Sequence, residues 1–134
     1  MVTFESLGIE EGLLQSIKTL GFTQPTPIQE KAIPVLLQGT KDFVGLAQTG
    51  TGKTAAFGFP LLQLINKQDK FPQALIVCPT RELCLQITSD LEKFRQKKDN
   101  IAVTAVYGGT SITMQIRDLK KRKSYCSGHT RQAY

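Results

Sequence analysis

Apolar residues along this chain fall into two kinds of spacing, helical and continuous, and each predicts its own elements. In residues 3–20, Ile9, Leu13, Leu14, Ile17 and Leu20 recur at helical intervals until Gly21, which predicts an amphipathic helix. A second helix is expected from Thr26, a good N-cap, and Pro27, a good first helical residue, through Ala32 and Ile33. Pro34 should disturb that helix before Gly39 closes it. The short apolar run at 42–46 and the continuous run at 74–78 read as strands, the latter of the kind buried on both faces of a parallel sheet. Residues 55–62 open a helix that fades near Asn66, and a polar link follows. Leu83, Ile87, Leu91 and Phe94 mark one stripe of a further helix. Residues 101–106 read as a third strand, Gly108 and Gly109 turn the chain, and Ser111 is placed to cap a last helix through Ile112, Ile116 and Leu119. Strand and helix therefore alternate, which predicts an α/β fold with a parallel sheet.

The loop between the first strand and its helix carries the chemistry. Residues 47–54 read A-Q-T-G-T-G-K-T, in the strand, loop and helix context that a phosphate-binding P-loop requires. Gly50 and Gly52 can take backbone conformations closed to other residues, so that main-chain N–H groups of a loop formed with Gln48, Thr49 and Thr51 approach a polyphosphate. The start of the following helix adds unpaired N–H groups and a positive dipole end. Lys53 is expected on the β- and γ-phosphates and Thr54 on Mg²⁺. Ala47 stands where the first glycine of the general pattern is usual. The competing reading is a glycine-rich turn before Lys-Thr, and the surrounding elements favour the nucleotide site.

Composition changes this picture only at its margins. A chain of 134 residues with 40% hydrophobic and 21% charged residues has room for one domain of ordinary soluble character. No run approaches the ~20 apolar residues of a membrane span, and no basic-then-apolar leader opens the chain, so a cytoplasmic address without membrane contact is the expectation. Three cysteines, Cys78, Cys84 and Cys126, cannot all pair with one another, and reduced thiols are the plain reading. His129 is the single histidine, which argues against a histidine-based catalytic site or a zinc cluster. The net charge of +6 suggests an anionic partner, but three of those charges, Arg122, Lys123 and Arg131, lie in a tail with no acidic residue.

Four motifs in order give the chain a resemblance to the N-terminal part of a DEAD-box ATP-dependent RNA helicase, over residues 4 to about 121. Residues 21–29 look like the family's Q motif, with Phe4 as its upstream aromatic, and residues 47–54 look like its motif I, where an alanine in the first position is normal. Pro79-Thr80-Arg81-Glu82-Leu83 looks like motif Ia, and Gly108-Gly109 like the glycine pair after the third strand. The resemblance implies a RecA-like domain that binds ATP with Mg²⁺ and contacts RNA without regard to sequence. The amide of Gln29 can pair with adenine N6 and N7, which separates ATP from GTP; the other reading is a polar residue on the exposed side of its helix. Phe22 is expected on the adenine face with Phe4 behind it, although an aromatic taken singly is more often core. Pro79, Thr80, Arg81, Gly108 and Gly109 follow strand ends, where open α/β sheets place ligands, and by resemblance they contact the RNA sugar-phosphate backbone. For Arg81 the alternative is an ion pair with a nearby carboxylate.

The resemblance ends near residue 121. The family continues with a strand ending in T-P-G-R, then the acidic D-E-A-D strand, S-A-T and a second domain, whereas residues 122–134 show neither strand nor helix periodicity. One reading is a frayed polar tail. Another comes from the genetic code: read one base later, the codons of residues 129–134 allow T-P-G-R-L, and those of residues 125–127 allow Ile and Val. Residues 1–121 are then part of an ATP-binding RecA-like domain and 122–134 a frameshift product. The function expected is that of an incomplete helicase domain which retains ATP and RNA contacts and has lost RNA-stimulated hydrolysis and unwinding. Two alternatives stand beside it, a non-catalytic nucleotide- or RNA-binding module or inert fragment, and another P-loop ATPase such as a DNA helicase.

Overall fold

The computed structural model describes residues 1–69, 71–95, 101–121 and 126–129. Its helices and strands, α1 (Glu11–Thr19), α2 (Pro27–Gln38), α3 (Lys53–Leu64), β1 (Leu75–Cys78), α4 (Arg81–Phe94), β2 (Ala105–Val106), α5 (Ile112–Lys121) and β3 (Cys126–His129), fall into two compact units. The first comprises Met1–Leu64 with Lys93–Lys97, the second Ile65–Glu92 with Lys98–Tyr134.

The first unit is helical, and its core follows the expected stripes. Leu13, Leu14 and Ile17 of α1 are buried together with Ile9 just before it, while Leu20 caps the helix and is partly exposed. α2 starts at Pro27 after Thr26 and ends at Gly39, whose φ of +65° is the left-handed conformation that glycine takes most readily. Pro34 does not break it. The helix runs on because proline removes a single backbone hydrogen bond, and the deprived carbonyl belongs to exposed Glu30. Packing of α2 on α3 buries Ile33, Ala55, Ala56 and Phe59. Phe59 is fully buried and centres an aromatic cluster, with ring centroids 5.8 Å from Phe4, 5.5 Å from Phe22 and 4.9 Å from Phe94. The edge-on arrangement of Phe4 and Phe22 about it is the one aromatic quadrupoles favour. Gln63 ties the N-terminal turn to α3, its Nε2 donating to the Gly8 carbonyl at 2.9 Å and its Oε1 accepting from the Glu10 N–H at 3.0 Å.

One expected strand is missing here. Residues 42–46 carry no strand pairing, and Val44 and Leu46 are almost fully exposed. Apolar spacing gives a segment strand propensity, but a strand exists only through hydrogen bonds to a neighbour, and no neighbour pairs with this run among the described residues.

The second unit holds a three-stranded sheet in the order β1-β3-β2, with both pairs parallel. Leu75 faces Cys126 and Cys78 faces His129 in one register, Ala105 faces Ser127 in the other. Parallel pairing and helical crossovers agree with the expected α/β arrangement, but three details differ. β1 is not covered on both faces: Leu75 and Val77 are 67% and 57% exposed, whereas Cys78 is buried. The strand expected over 101–106 is paired only at Ala105–Val106, although Ile101 and Val103 are buried. Residues 126–129 form the central strand despite a sequence, Cys-Ser-Gly-His, with little strand preference; pairing on both sides outweighs propensity there. The rest of the 122–134 tail lies outside the described residues.

α4 buries Ile87, Leu91 and Phe94 of the expected stripe, while Leu83 is half-buried and Cys84 beside it is buried instead. α5 forms where expected, after Ser111, but its Ile112 and Ile116 are exposed. The thiols of Cys78 and Cys84 are buried and not joined in a disulfide, and Cys84 Sγ donates to the Val106 carbonyl at 3.9 Å. Burial, with the nearby Cys84 thiol adding to it, pushes the Cys78 thiol above its ordinary range and keeps it protonated and inert. Among the described residues no helix is long and apolar enough to cross a membrane.

Phe59→Ala should lower the unfolding free energy by about 3–5 kcal/mol in denaturant titration, since it leaves a hole lined by the rings of Phe4, Phe22 and Phe94. Leu75 and Val77 present an apolar face on a strand at the border of the sheet, so the chain should self-associate with rising concentration. Replacing both by threonine should shift the sedimentation profile toward monomer.

Candidate nucleotide and nucleic-acid sites

The loop at residues 47–54, in the first unit, is held in place by α2. Gly50 and Gly52 have φ of +77° and +83°, conformations that side-chain-bearing residues rarely adopt. Gly52 is doubly constrained, because a Cβ there would collide with the Gln29 amide nitrogen. Four side chains tie the loop down. Thr51 Oγ1 donates to the Gln48 carbonyl at 2.7 Å and Thr26 Oγ1 to the Thr51 carbonyl at 2.9 Å. Gln29 Nε2 donates to the Gly52 carbonyl at 3.2 Å, while its Oε1 accepts from the Thr26 N–H at 3.0 Å. Lys53 Nζ donates to the Ala47 carbonyl at 2.5 Å, across the mouth of the loop.

Gln29 is fully buried, so it is not a residue on the exposed side of its helix. Both ends of its amide are engaged inside the chain, and an adenine would have to take over from Thr26 or Gly52. Phe22 is half-buried at the border of the aromatic cluster, with Phe4 behind it at 6.4 Å and perpendicular. Phe4 itself is 5% exposed. It belongs to the core and reaches a ligand only by supporting Phe22, because Phe59 and Phe22 close over its ring. Gln48 and Thr49 are exposed at the crest of the loop, and Thr54 is half-buried in the first turn of α3.

The arrangement fits a polyphosphate. The first turn of any helix has N–H groups without intrahelical partners, and here it follows two glycines in open backbone conformations. The Lys53 ammonium rests on a neutral carbonyl, a weaker partner than a phosphate oxygen. For Mg²⁺ the described residues offer the Thr54 hydroxyl and no cluster of three or more acidic, histidine or cysteine side chains. That donor set suits an ion held chiefly by phosphate oxygens and water.

A second group of residues assembles in the other unit, where β1 and β2 lead into turns. Pro79 and Thr80 follow β1, and Thr80 caps α4, its Oγ1 accepting from the Leu83 N–H at 3.2 Å and its carbonyl from the Cys84 N–H at 3.1 Å. Arg81 is exposed at the start of the helix, its guanidinium carbon 4.7 Å from the centroid of the Tyr107 ring. Its observed neighbour is therefore an aromatic face. Gly108 and Gly109 come directly after Tyr107; Gly109 has a φ of +83° in open space, so backbone conformation alone calls for glycine there. Gln115 of α5 secures this turn, accepting from the Tyr107 N–H at 3.1 Å and donating to the Tyr107 carbonyl at 2.9 Å and to Thr110 Oγ1.

Sequence reasoning named Thr26 only as a helix cap and passed over Tyr107 and Gln115. Each acts through a partner distant in sequence or across a turn, and the one available signal was an amide or aromatic beside a glycine pair or a P-loop.

Comparison with known proteins places these observations. The DEAD/DEAH box helicase family model matches residues 26–132. The ATP-dependent RNA helicase CshA of Listeria monocytogenes is 48% identical over 128 residues, which are 96% of this chain and 24% of that protein. The DEAD-box ATP-dependent RNA helicase CshA of Geobacillus kaustophilus is 48% identical over 121 residues, 90% of this chain and 26% of that one. This chain therefore spans about a quarter of the length of the curated relatives it matches. Among solved structures, a DEAD box protein from Methanococcus jannaschii superimposes with a TM-score of 0.87 at 35% identity, covering 97% of this chain and 35% of that one. The RNA helicase Prp28 from Chaetomium thermophilum bound to ADP gives 0.81 at 38% identity, covering 96% and 32%. The fold is α/β and RecA-like, and the chain belongs to the DEAD/DEAH box helicase family.

Proposed function

We propose that this chain supplies the ATP-binding and part of the RNA-binding surface of an ATP-dependent RNA helicase, as a portion of its first RecA-like domain. The observation that carries this reading is the loop at residues 47–54, with Gly50 and Gly52 at positive φ before α3 and an ammonium parked on a loop carbonyl. On nucleotide binding, Lys53 leaves the Ala47 carbonyl for the β- and γ-phosphates, and the N–H groups of the loop and of the first turn of α3 take the remaining oxygens. Thr54 would hold Mg²⁺, which when bound neutralises charge on the phosphates. Phe22 supports the adenine, and Gln29 turns its amide toward N6 and N7. Pro79, Thr80, Arg81, Gly108 and Gly109 meet the sugar-phosphate backbone, which accounts for binding RNA without regard to sequence. In the longer protein these contacts serve hydrolysis of ATP coupled to local strand separation, at a cytoplasmic address.

Residues 122–134 we read as a frameshift product. What supports this is the recovery of T-P-G-R-L in the shifted frame, together with a Ser-Gly pair in the middle of a central strand, where residues of that type fit poorly. Coding DNA in which the shifted frame does not continue openly past T-P-G-R would overturn it.

Two measurements test the nucleotide site. ADP should bind more tightly than GDP by calorimetry, and equal binding would remove the adenine role from Gln29. Lys53→Ala should weaken ADP binding at least about tenfold, since a hydrogen bond to a charged group contributes about 1.5–3 kcal/mol. An unchanged affinity would move the phosphates elsewhere.

A further inference from the structure

The turn after β2 holds an aromatic ring that the proposed RNA contacts leave unexplained. Tyr107 is half-buried, its ring lies under the Arg81 guanidinium at 4.7 Å, and its own N–H and carbonyl are both taken by the single side chain of Gln115. The Gln115 amide also donates to Thr110 Oγ1, so one side chain on α5 fixes residues on both sides of the glycine pair. Backbone freedom at Gly108 and Gly109 would otherwise let the ring wander. A ring with a fixed backbone is a fixed base for whatever rests on it.

A guanidinium uses its flat face for an aromatic ring and its N–H edge for phosphate oxygens, and the two uses are compatible. An exposed arginine on a free stem loses rotamer entropy when it meets a phosphate, and that loss opposes binding. Arg81 has lost part of that freedom before any ligand arrives.

We propose that Tyr107 is a positioning residue for phosphate recognition by Arg81: its ring, anchored by Gln115, presents the guanidinium in an ordered pose to the sugar-phosphate backbone. This rests on the reading of residues 79–81 and 108–109 as RNA contacts. The ring acts through the arginine and does not itself stack on a base.

The test is a double-mutant cycle on the chain, with Arg81→Ala, Tyr107→Leu, Tyr107→Phe and the Arg81→Ala/Tyr107→Leu pair. Binding is read by fluorescence anisotropy of a labelled short oligouridylate, at concentrations low enough to keep the chain monomeric. Tyr107→Leu should weaken binding roughly two- to five-fold, the size of an exposed cation–π contact. Tyr107→Phe, which keeps the ring face, should bind like the parent, and Tyr107→Leu should cost nothing further once Arg81 is alanine. The same loss with and without Arg81, or a phenylalanine that fails to rescue, would show the ring acting alone and overturn the proposal. An Arg81→Ala effect with no Tyr107→Leu effect overturns the positioning role and leaves the RNA reading standing, whereas no Arg81→Ala effect removes the RNA reading and the inference with it. Should Tyr107→Leu unfold, the parent chain still decides the geometry: the Arg81 side-chain protons should show an upfield ring-current shift in NMR, and unshifted protons would contradict it.

Discussion

A buried amide joins the start of α2 to the loop at residues 47–54, and the geometry of that loop follows from it. Gln29 is fully buried, and an unpaired amide in that setting would cost several times what a hydrogen bond contributes. Its two partners, the Thr26 N–H and the Gly52 carbonyl, are therefore not optional. Together with the Thr26 hydroxyl on the Thr51 carbonyl, they tie two consecutive carbonyls of the loop to the start of α2. The left-handed conformation of Gly52 and the absence of a side chain there are the local conditions that let the amide come so close.

The same chemistry recurs along the chain. Gln63 joins Gly8 and Glu10, Gln73 exchanges both of its amide groups with the backbone of Asn66 at 2.8 Å each, and Gln115 does so with Tyr107. A glutamine amide carries a donor and an acceptor in one plane, as a peptide group does, so it can stand in for a strand or turn neighbour that the local backbone lacks. In Gln29 and Gln115 the stand-in holds a loop that needs freedom at its glycines and definition at its flanks. Glutamate in either place would keep the acceptor and lose the donor, and at Gln29 it would also bring a charge into a buried position.

What the sequence revealed and what it hid divide along the range of the interactions. The ends of α2 were legible because Thr26, Pro27 and Gly39 act on their own backbone. The buried stripes of α1 and α4 were legible because a helix decides its own periodicity. The turn before α3 was legible because Gly50 and Gly52 sit where positive φ is needed just ahead of the helix. Strands were not, since residues 42–46 have apolar spacing without a paired neighbour, and Cys126–His129 has two paired neighbours without the spacing. Exposure of Leu75, Val77, Ile112 and Ile116 was equally invisible, because a run of apolar residues states what should be covered and says nothing of what covers it. Phe4, expected behind Phe22, lies edge-on to it in the buried aromatic cluster.

The central claim is that the loop at residues 47–54 is a phosphate cradle whose N–H groups receive the nucleotide. Amide hydrogen exchange of the peptide spanning that loop, with and without ADP and Mg²⁺, tests it most directly. The account predicts that exchange there slows on adding nucleotide while the segment at residues 101–106, in the other unit, exchanges at an unchanged rate. Exchange in the loop that is the same with and without saturating nucleotide would contradict it.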